Sequence, residues 1–528
     1  MKIPKILKEL EFDQKLLDAI AEMKQLYLED PIPWIVGYSG GKDSTAVVQS
    51  TFYMLKELKA EGKKLHKDIH IICTDTLVEN PIVSMWVENS LKIMQDAADK
   101  EEYPLKVHLL HPDPKDSFWA NLIGRGYPAP RNRFRWCTER MKIDPVSRFV
   151  EERLTETRQA IILLGTRFQE SQERGRRMRG YQKDSIRDVL SPHQSQQNTF
   201  VYPPIRDWSN DEVWLFLTQV PNPWGINNKD LLNMYRGATE DKECPLVMDK
   251  TTPSCGDSRF GCWVCTMVEQ DKSMQAMVMN DDENEWLKPL LDYRNMLDFR
   301  GNEKLDHHLR DFRRRSGSID IFERDGEAVN IHGPYLQSVR ENYLRKLLQT
   351  QKLVRSNPKT PEQLKNIELI RVEELNEIRR IWVEEKHEIE DSLPRIYKEE
   401  MGEEIQLEPL KFVQPFSHAE MNILKDIAGQ NDLHFELCRE LISMEQEIVK
   451  EVLHNSSDIS LWGLFLQADI VVKLVMLILL LASIWCWTII IEKIFLSRKE
   501  IKLANTFENE FWSGTSLDDI YDEMSNEN

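Results

Sequence analysis

Cysteine is scarce in this sequence, with eight residues among 528. So few thiols in so long a chain exclude a disulfide-stabilised scaffold of the kind found in small secreted domains. The amino-terminal stretch MKIPKILKELEF shows no cleavable signal peptide. These two absences predict that the main part of the chain works in a reducing, cytoplasmic compartment.

Internal repeats and low-complexity runs are also lacking. Hydrophobic residues make up 41% of the chain and Trp occurs 14 times, which excludes general disorder. A chain of 528 residues exceeds what one hydrophobic core normally organises, so two or three domains are expected.

Strand-like and helical segments alternate in the first part of the chain. Strands are predicted at 35–38, 68–73, 105–110 and 160–165, with helices beginning near residues 45, 83 and 144. This alternation predicts an α/β fold with a mostly parallel sheet, in which ligands bind beyond the carboxyl ends of the strands. The predicted organisation is a helical lead-in (1–33), an α/β domain (34–220), a cysteine-rich subdomain (221–280), a charged helical region (281–455) and a carboxyl-terminal segment of different character (456–528).

The net charge of −19 argues against a nucleic-acid partner until its distribution is considered. Residues 381–451 hold 18 acidic and 7 basic residues, whereas residues 125–179 hold 14 basic and 7 acidic residues. The acidic helical region is interpreted as a solvated face, with a docking surface for basic partner subunits as the second reading. The basic segment leaves a surface for a polyanion available.

The stretch WIVGYSGGKDST at 34–45 lacks the spacing of a Walker A loop. Three residues separate Gly37 from Gly41 where that loop has four, and Lys42 is followed by Asp43 instead of Ser or Thr. An apolar strand, a tight glycine loop and a helix nevertheless favour phosphate binding at the helix amino terminus, with a purely structural turn as the alternative. The candidate phosphate-binding residues are Ser39, Gly40, Gly41, Lys42, Asp43, Ser44 and Thr45.

Four of the eight cysteines lie close together in the chain. Ten, six and two residues separate Cys244, Cys255, Cys262 and Cys265. A structural zinc ribbon usually has two Cys-x-x-Cys pairs, whereas only the last two cysteines form one. The uneven spacing favours a cubane iron–sulfur cluster, and zinc or no metal remain open. Cys73, Cys438 and Cys486 lie in apolar or helical stretches and are interpreted as core residues.

Several motifs occur in an order that resembles a known family. SGGKDS at 39–44 resembles the PP-loop of ATP pyrophosphatases, and RFRWCT at 133–138 resembles a segment of phosphoadenylylsulfate (PAPS) reductase-like proteins. GTRFQES at 165–171 and YPPIRDW at 202–208 resemble two further signatures. With the four cysteines behind them, these segments make residues 10–450 similar to the DndC family of PP-loop sulfurtransferases, which act in bacterial DNA phosphorothioation.

This resemblance implies a reaction and its cofactors. ATP would be cleaved to AMP and pyrophosphate to activate a DNA backbone phosphate, and sulfur from a cysteine desulfurase would replace a non-bridging oxygen. Lys42 and the loop N–H groups would neutralise the departing pyrophosphate. Asp43 and Asp75 could hold Mg²⁺. The Asp43 carboxylate could equally serve to stabilise the amino terminus of the helix through the helix dipole. Gly165 and Arg167 would contact the nucleotide, a 4Fe–4S cluster would occupy the four cysteines, and other phosphorothioation subunits would be partners.

Two basic clusters complete the candidate site. Cys137 is flanked in sequence by Arg133, Arg135 and Arg140, and neighbouring cations lower a thiol pKa. It is therefore a candidate sulfur carrier, with simple packing beside Trp136 as the alternative. DNA phosphate contacts are predicted for Arg174, Arg176, Arg177 and Arg179, for which a solvated face is the alternative.

The carboxyl end has a separate character. Residues 474–491, LVMLILLLASIWCWTIII, carry no charge and are interpreted as a transmembrane helix, with a buried core helix as the alternative. The surrounding residues, from about 460, resemble the beginning of TolQ in the TolQ/ExbB family. One basic residue precedes the helix within 455–473 and four follow within 492–510, which would place the large amino-terminal part outside the cytosol. We expect a fused remnant first and a membrane-tethered enzyme second.

Three other functions remain open from the sequence. A PAPS reductase shares the loop, but its reactive carboxyl-terminal thiol motif has no counterpart after Cys265. A tRNA thiolase shares the loop and a cluster, and basic loops do not separate RNA from DNA. From another class, the chain could be a truncated TolQ-like membrane component that carries the amino-terminal part as a passenger.

Overall fold

The computed structural model describes most of the first 429 residues and little of the remainder. The described residues are 4–9, 11–131, 134–157, 159–169, 189–193, 198–238, 260–324, 327–410, 416–429, 434, 435, 437–439, 441, 442 and 493. Nearly all of them belong to one compact unit, Met1–Arg439. The second unit, Glu440–Asn528, lies almost entirely outside the described residues.

The main sheet has six strands in the spatial order β3-β2-β1-β4-β6-β5. All neighbouring strands pair in parallel except β5 and β6, which are antiparallel. The predicted α/β fold with a mostly parallel sheet is confirmed. The strands are β1 (Trp34–Gly37), β2 (Ile69–Thr74), β3 (Leu105–Leu110), β4 (Ala160–Leu163), β5 (Ser191–Pro192) and β6 (Thr199–Tyr202), and a separate hairpin consists of β7 (Ile321–Arg324) and β8 (Glu327–Asn330).

Helices surround this sheet and continue beyond it. The helices are α1 (Lys5–Glu9), α2 (Asp13–Glu29), α3 (Lys42–Ala60), α4 (Pro81–Lys100), α5 (Trp136–Thr138), α6 (Asp144–Thr157), α7 (Asn210–Gln219), α8 (Asn228–Gly237), α9 (Lys272–Asn280), α10 (Lys288–Met296), α11 (Glu303–His308), α12 (Gln337–Ser356), α13 (Val372–Arg380), α14 (Leu393–Met401) and α15 (His418–Ile427).

The central strand β1 pairs with β2 on one side and with β4 on the other. Trp34 is opposite Ile69 in β2 and Ile161 in β4. The apolar side chains of these three strands are buried on both faces, as expected where helices cover a parallel sheet on each side. This register brings the carboxyl ends of β1, β2 and β4 to one edge, where the loops that follow them meet.

A second hydrophobic core lies beside the sheet. It joins residues from 118–141, from the cysteine-bearing segment and from the helical region. Trp119, Trp263 and Tyr293 are mutual neighbours in it, with ring centroids 5.7–5.9 Å apart. Trp119 also donates its indole N–H to the carbonyl of Leu369 at 2.6 Å. The helical region is therefore packed against the loops that follow the sheet strands.

The carboxyl-terminal prediction falls outside this description. No helix among the described residues is long and apolar enough to cross a membrane. Residues 474–491, for which the transmembrane helix was predicted, are not among them.

Candidate functional site

The glycine loop joins β1 to α3 as the sequence predicts. Ser39 donates its backbone N–H to the Ser44 hydroxyl at 3.1 Å, and the two hydroxyl oxygens are 3.2 Å apart. The hydroxyls of Ser44 and Thr45 both donate to the carbonyl of Gly41, at 3.0 and 2.8 Å. The loop is thus closed on itself by short polar side chains. Thr45 is buried beneath it and serves this closure.

Gly40 is required by its surroundings, and Gly41 fits closely against Tyr235. Gly40 has a φ of +73°, and a Cβ there would lie 2.4 Å from the Val87 side chain. A Cβ on Gly41 would lie 3.2 Å from the Tyr235 hydroxyl. Gly41 is also the N-cap residue of α3, so no side chain caps the first turn of this helix. An anion is a natural partner for a helix amino terminus of this kind.

Tyr235, on α8, is a loop-contacting residue that the sequence reasoning missed. Its hydroxyl accepts the backbone N–H of Lys42 at 3.3 Å, and its ring lies 5.7 Å from the Lys42 ammonium. Burial raises the pKa of Tyr235 to about 12, so the phenol keeps its proton at neutral pH. It supports the loop as a neutral group.

Asp43 is paired with two cations at the start of α3. Its Oδ2 lies 3.1 Å from the Lys42 ammonium, and its Oδ1 accepts from Arg167 Nε at 2.7 Å. Arg167 is 3% exposed, and its Nη1 donates to the carbonyl of Trp208 at 3.2 Å. A Cβ on Gly165 would lie 2.8 Å from the Asp43 carbonyl carbon. Gly165 and Arg167 therefore hold the first turn of α3 in place.

Asp75 follows β2 directly and is largely buried. Its Oδ1 accepts the backbone N–H of Leu77 at 2.8 Å. Its Oδ2 lies 3.5 Å from His111 Nδ1 and 3.7 Å from Arg371 Nη2. Arg371 comes from the helical region, so that region reaches the carboxyl edge of the sheet.

The loops enclose a cavity of about 900 Å³ at this edge of the sheet. Its size suits a nucleotide. The residues around it include Ser39, Gly40, Gly41, Lys42, Asp43, Ser44, Asp75, Glu79, Lys142, Gly165, Arg167 and Tyr235. The structure thus brings the predicted loop residues, Asp75, Gly165 and Arg167 to one cavity.

Cys73 lines the cavity itself, and Cys262 lies behind the lining residue Glu79. Glu79 Oε1 lies 3.5 Å from the Lys142 ammonium and 3.6 Å from Cys262 Sγ, and it accepts from the Thr76 hydroxyl at 2.9 Å. Cys262 Sγ and the Thr76 hydroxyl are 3.3 Å apart. The Cys262 sulfur, in its thiolate form, and the Glu79 carboxylate raise the pKa of Lys142, which therefore stays cationic. Burial raises the pKa of the Cys262 thiol itself. Lys142 lies between the nucleotide cavity and the thiols.

The expected activation of Cys137 by arginines is wrong. Burial, and then the neighbouring Cys265 thiol, raises the pKa of Cys137 above its ordinary value. Arg140 donates to Asp116 at 3.1 Å and to Asn121 at 2.9 Å, so its charge is engaged elsewhere. The candidate carrier Cys137 does lie close to the Cys-x-x-Cys pair. The arginines near Cys137 in sequence predicted a lowered thiol pKa, but burial of the thiol outweighs their effect and raises the pKa.

Only two of the four cysteines that were predicted to bind a metal cluster lie among the described residues. Cys262 and Cys265 share one tight turn, in which Cys265 donates its backbone N–H to the Cys262 carbonyl at 3.0 Å. Cys244 and Cys255 lie outside the described residues, as do Arg174, Arg176, Arg177 and Arg179. Among the described residues, no group of three or more His, Cys, Asp or Glu side chains could hold a metal ion. The two described thiols on one turn are a donor set that suits an iron–sulfur cluster.

Comparison with known proteins defines the class of the sheet domain. Residues 33–224 match the family model of the phosphoadenosine phosphosulfate reductase domain. This range begins one residue before β1 and contains all six strands of the main sheet. The chain therefore carries a PAPS reductase-like PP-loop domain, which indicates a nucleotide-utilising enzyme.

Two curated relatives match different shares of the chain. An uncharacterised protein of Methanocaldococcus jannaschii is 26% identical over 280 residues, which is 53% of this chain and 44% of that protein. The Tol-Pal system protein TolQ of Haemophilus influenzae is 42% identical over 71 residues, which is 13% of this chain and 31% of TolQ. The chain thus spans less than half the length of these relatives, and a TolQ-like segment occupies a minor part of it.

Solved structures give only distant likenesses. The PAPS reductase of Candida auris is 14% identical with a TM-score of 0.26, over 44% of this chain and 93% of that one. A U34-tRNA thiolase of Methanococcus maripaludis, solved with its [4Fe-4S] cluster, is 14% identical with a TM-score of 0.23, over 56% of this chain and 81% of that one. Scores this low carry no argument about function.

Proposed function

We propose that this chain is an ATP-dependent sulfurtransferase of DNA phosphorothioation. The observation that carries the proposal is the cavity that runs from the PP-loop to Glu79 and Lys142, together with the contact of Glu79 with Cys262 behind it. A nucleotide held by the loop and a sulfur donor at the thiols would meet across this space. The motif order that resembles the DndC family supports DNA as the substrate.

The reaction divides into two substitutions at phosphorus. A non-bridging oxygen of a DNA phosphodiester bonds to the α-phosphorus of ATP, the bond to the β-phosphate oxygen breaks, and pyrophosphate leaves. The terminal sulfur of a persulfide, formed when the desulfurase transfers sulfane sulfur to a cysteine thiolate of the chain, then attacks the activated DNA phosphorus, and AMP leaves with the original oxygen. A dithiol reductant attacks the cysteine sulfur of the resulting S–S bond, so that sulfur stays on phosphorus, the cysteine is regenerated and the dithiol becomes a disulfide.

The residues at the two ends of the cavity serve different parts of this scheme. Lys42 and the N–H groups at the start of α3 stabilise the negative charge of the departing pyrophosphate. Lys142 contributes a second positive charge on the side of the thiols, where the DNA phosphate would enter. Asp43 and Asp75 both border the cavity and are the carboxylates that would share Mg²⁺ with the phosphates.

A 4Fe–4S cluster would be held by Cys244, Cys255, Cys262 and Cys265. When bound, it would supply a redox or sulfur-binding centre beside the nucleotide cavity. Cys137, whose pKa is raised by burial and then by the neighbouring Cys265, is the proposed acceptor of sulfane sulfur from the desulfurase. The catalytic part is proposed to work in the cytoplasm with the other phosphorothioation subunits, and residues 474–491 would account for any membrane association.

The proposal is tested by identifying the chemical product of the reaction. Purified protein, ATP, Mg²⁺, a cysteine desulfurase with cysteine, dithiothreitol as the dithiol reductant, and the partner subunits are incubated with duplex DNA and, separately, with bulk tRNA. Nuclease digestion and mass spectrometry should then reveal phosphorothioate-linked dinucleotides in the DNA. Thiolated nucleosides in tRNA, with unmodified DNA, would contradict the proposal and favour a tRNA thiolase. Sulfite release from PAPS would favour a reductase.

A further inference from the structure

Two arginine-rich segments that are far apart in sequence meet beside Cys137. Residues 125–142 contain six basic residues and one acidic residue, and residues 310–315 contain four arginines and one aspartate. The Arg315 guanidinium donates to the Tyr127 hydroxyl at 2.5 Å. The sequence reasoning had no means of connecting these segments, because 188 positions separate the two contacting residues.

Tyr335, which forms an antiparallel bridge with Arg310 of the second segment, connects that segment to the first. Tyr335 donates its backbone N–H to the Gly126 carbonyl at 2.7 Å. Gly126 has a φ of +74°, and a Cβ there would lie 2.9 Å from the Tyr335 carbonyl oxygen. Such a close approach of two backbones leaves no room for sliding between them. The junction is therefore a built part of the fold.

The arginine turn itself is braced by backbone bonds on both sides. Arg314 donates its N–H to Ser318 at 2.8 Å, and Gly317 donates to Arg314 at 2.8 Å. Below this turn, Asp311 and Gly333 hold the two chain segments together, since Gly333 donates to the Asp311 carbonyl at 2.7 Å. Arg313 and Arg315 are exposed on this turn, and Arg314 is partly exposed.

Aromatic rings lie between the arginines. The Tyr127 ring has the Arg140 guanidinium 5.5 Å away and the Arg315 guanidinium 5.8 Å away. The Phe134 ring centroid is 6.2 Å from that of Tyr127, and its side chain is 43% exposed. Phe312, next to the turn, is 51% exposed. This alternation of guanidinium groups and rings suits a chain of phosphates with flat sugar or base surfaces between them.

Nearby carboxylates offset only part of the positive charge at this surface. Asp306 is fully buried and accepts from Arg131 at 2.7 Å and from Tyr335 at 3.0 Å, so its charge is used inside the protein. Asp320 lies 3.5 Å from Arg314, at the outer side of the turn. The arginines outnumber the acidic groups that remain at the surface.

This surface lies near Cys137 and the inner end of the nucleotide cavity. Trp136 immediately precedes Cys137, and its ring centroid is 6.0 Å from that of Tyr127. Lys142, five residues after Cys137, borders the nucleotide cavity. A polyanion that contacts the arginines would thus pass the thiol and the inner end of the cavity.

We propose that Tyr127, Phe134, Arg313, Arg314 and Arg315 form the surface that binds the backbone of duplex DNA and directs one phosphodiester toward Cys137. We call it the arginine–aromatic surface. This inference rests on the proposed function and adds a binding site on residues outside the segment 174–179.

The test measures the binding of a fluorescein-labelled DNA duplex of about 20 base pairs to the full-length protein over a series of NaCl concentrations. For the double variant Arg314→Ala/Arg315→Ala, two lost phosphate contacts should make the slope of log K against log [NaCl] less steep by about two. The matched control is Lys63→Ala/Lys64→Ala, which removes the same charge from an exposed turn that precedes β2, at the opposite end of that strand from Asp75. This control should keep the wild-type slope.

A conservative variant separates charge from architecture. Arg314→Lys/Arg315→Lys loses the bond geometry to Tyr127 but keeps two cations, so it should retain most of the salt slope. Equal slopes for wild type and the alanine double variant would overturn the proposal, as would preferential binding of a matched RNA duplex. ADP formation from ATP would instead contradict the proposed function while leaving the DNA-binding result interpretable.

Discussion

Arg167 and Asp43 are 124 positions apart in sequence, yet the guanidinium Nε lies 2.7 Å from the carboxylate Oδ1. Asp43 is therefore held between Arg167 and the Lys42 ammonium before any nucleotide binds. The pairing orients the first turn of α3. A metal ion bound to the Asp43 carboxylate would share it with two cations at 2.7 and 3.1 Å. The contacts of Asp75 with His111 and Arg371 are longer, 3.5 and 3.7 Å, so Asp75 is the better candidate for direct coordination of Mg²⁺.

Replacing Arg167 should weaken catalysis more than stability. Arg167→Ala removes a charged hydrogen bond worth on the order of 1.5–3 kcal/mol, which corresponds to about 10- to 150-fold in kcat/KM for ATP. Arg379→Ala is the matched control, because Arg379 makes a comparable part-buried pair with Asp391 in the helical region. Kinetics and melting curves of both variants provide the comparison. An unchanged kcat/KM in Arg167→Ala would show that the pair has no role in nucleotide binding.

A buried carboxyl in the helical region should make stability depend on pH. Glu374 is 1% exposed, and burial raises its pKa from 4.5 to about 7. The folded protein thus binds this proton more tightly than the unfolded chain does. The contribution to stability is complete below about pH 4.5 and is lost as the pH rises toward 7, with a slope of at most about 1.4 kcal/mol per pH unit.

Glu374→Gln tests this pH dependence directly. A glutamine can still accept the backbone N–H that Arg371 donates to Glu374 at 3.0 Å, but it does not titrate. The difference in melting temperature between Glu374→Gln and wild type should therefore grow in favour of the variant between pH 5 and pH 8. Exposed Glu373 provides the control Glu373→Gln, for which the difference should stay constant. A constant difference for Glu374→Gln as well would contradict the pKa assignment.

The sequence was sufficient to predict the sheet and the loop. Strand β3 lies at 105–110 as predicted, and β2 is shifted by one residue, to Ile69–Thr74. Buried parallel strands consist of short runs of apolar residues, so their positions can be recognised from the sequence without tertiary information. The helix after the glycine loop begins at Lys42, three residues before the predicted start near Thr45. Its first turn carries polar residues that bind the loop instead of apolar residues that show periodicity.

Other site residues could not be found from the sequence because they act across long separations. Tyr235 and Arg371 come from helices that show only ordinary amphipathic patterns. Glu79 became interesting only when the structure placed it beside Cys262 and Lys142. The pKa of Cys137 was misjudged for the same reason. Its sequence neighbours suggested cations, whereas burial and the Cys265 thiol dominate in the fold.

Removal of residues 456–528 should not affect the chemistry of the amino-terminal part. All the described site residues lie within Met1–Arg439, so the truncated protein should keep the wild-type rate of AMP and pyrophosphate formation. Expression yield, membrane partition and this rate are compared between the full chain and the truncation. A folded, cluster-loaded truncation without activity would show that the carboxyl-terminal segment belongs to the enzyme.

The four closely spaced cysteines, Cys244, Cys255, Cys262 and Cys265, predict that the protein binds an iron–sulfur cluster. Protein purified without oxygen should be brown and contain about four iron atoms per chain, as expected for a cubane cluster. Cys262→Ser should bleach the protein, whereas Cys73→Ser, at a buried position in β2, should keep the colour. Absorbance near 400 nm (about the usual charge-transfer region) and metal analysis provide the readout. A colourless wild type with one tightly bound zinc would rule out the cluster.

The lysine of the glycine loop should control the rate and not the identity of the products. Lys42→Ala removes a cation that borders the cavity at the start of α3, and the loss of one such stabilising donor costs on the order of 2–4 kcal/mol, or roughly 30- to 1,000-fold in kcat. Lys56→Ala, an exposed lysine on the same helix, should keep the wild-type rate. Both proteins should form AMP and pyrophosphate, which chromatography of radiolabelled ATP distinguishes from ADP and phosphate. ADP as the main product of a preparation free of contaminating ATPases would overturn the assignment of this loop to the pyrophosphatase class.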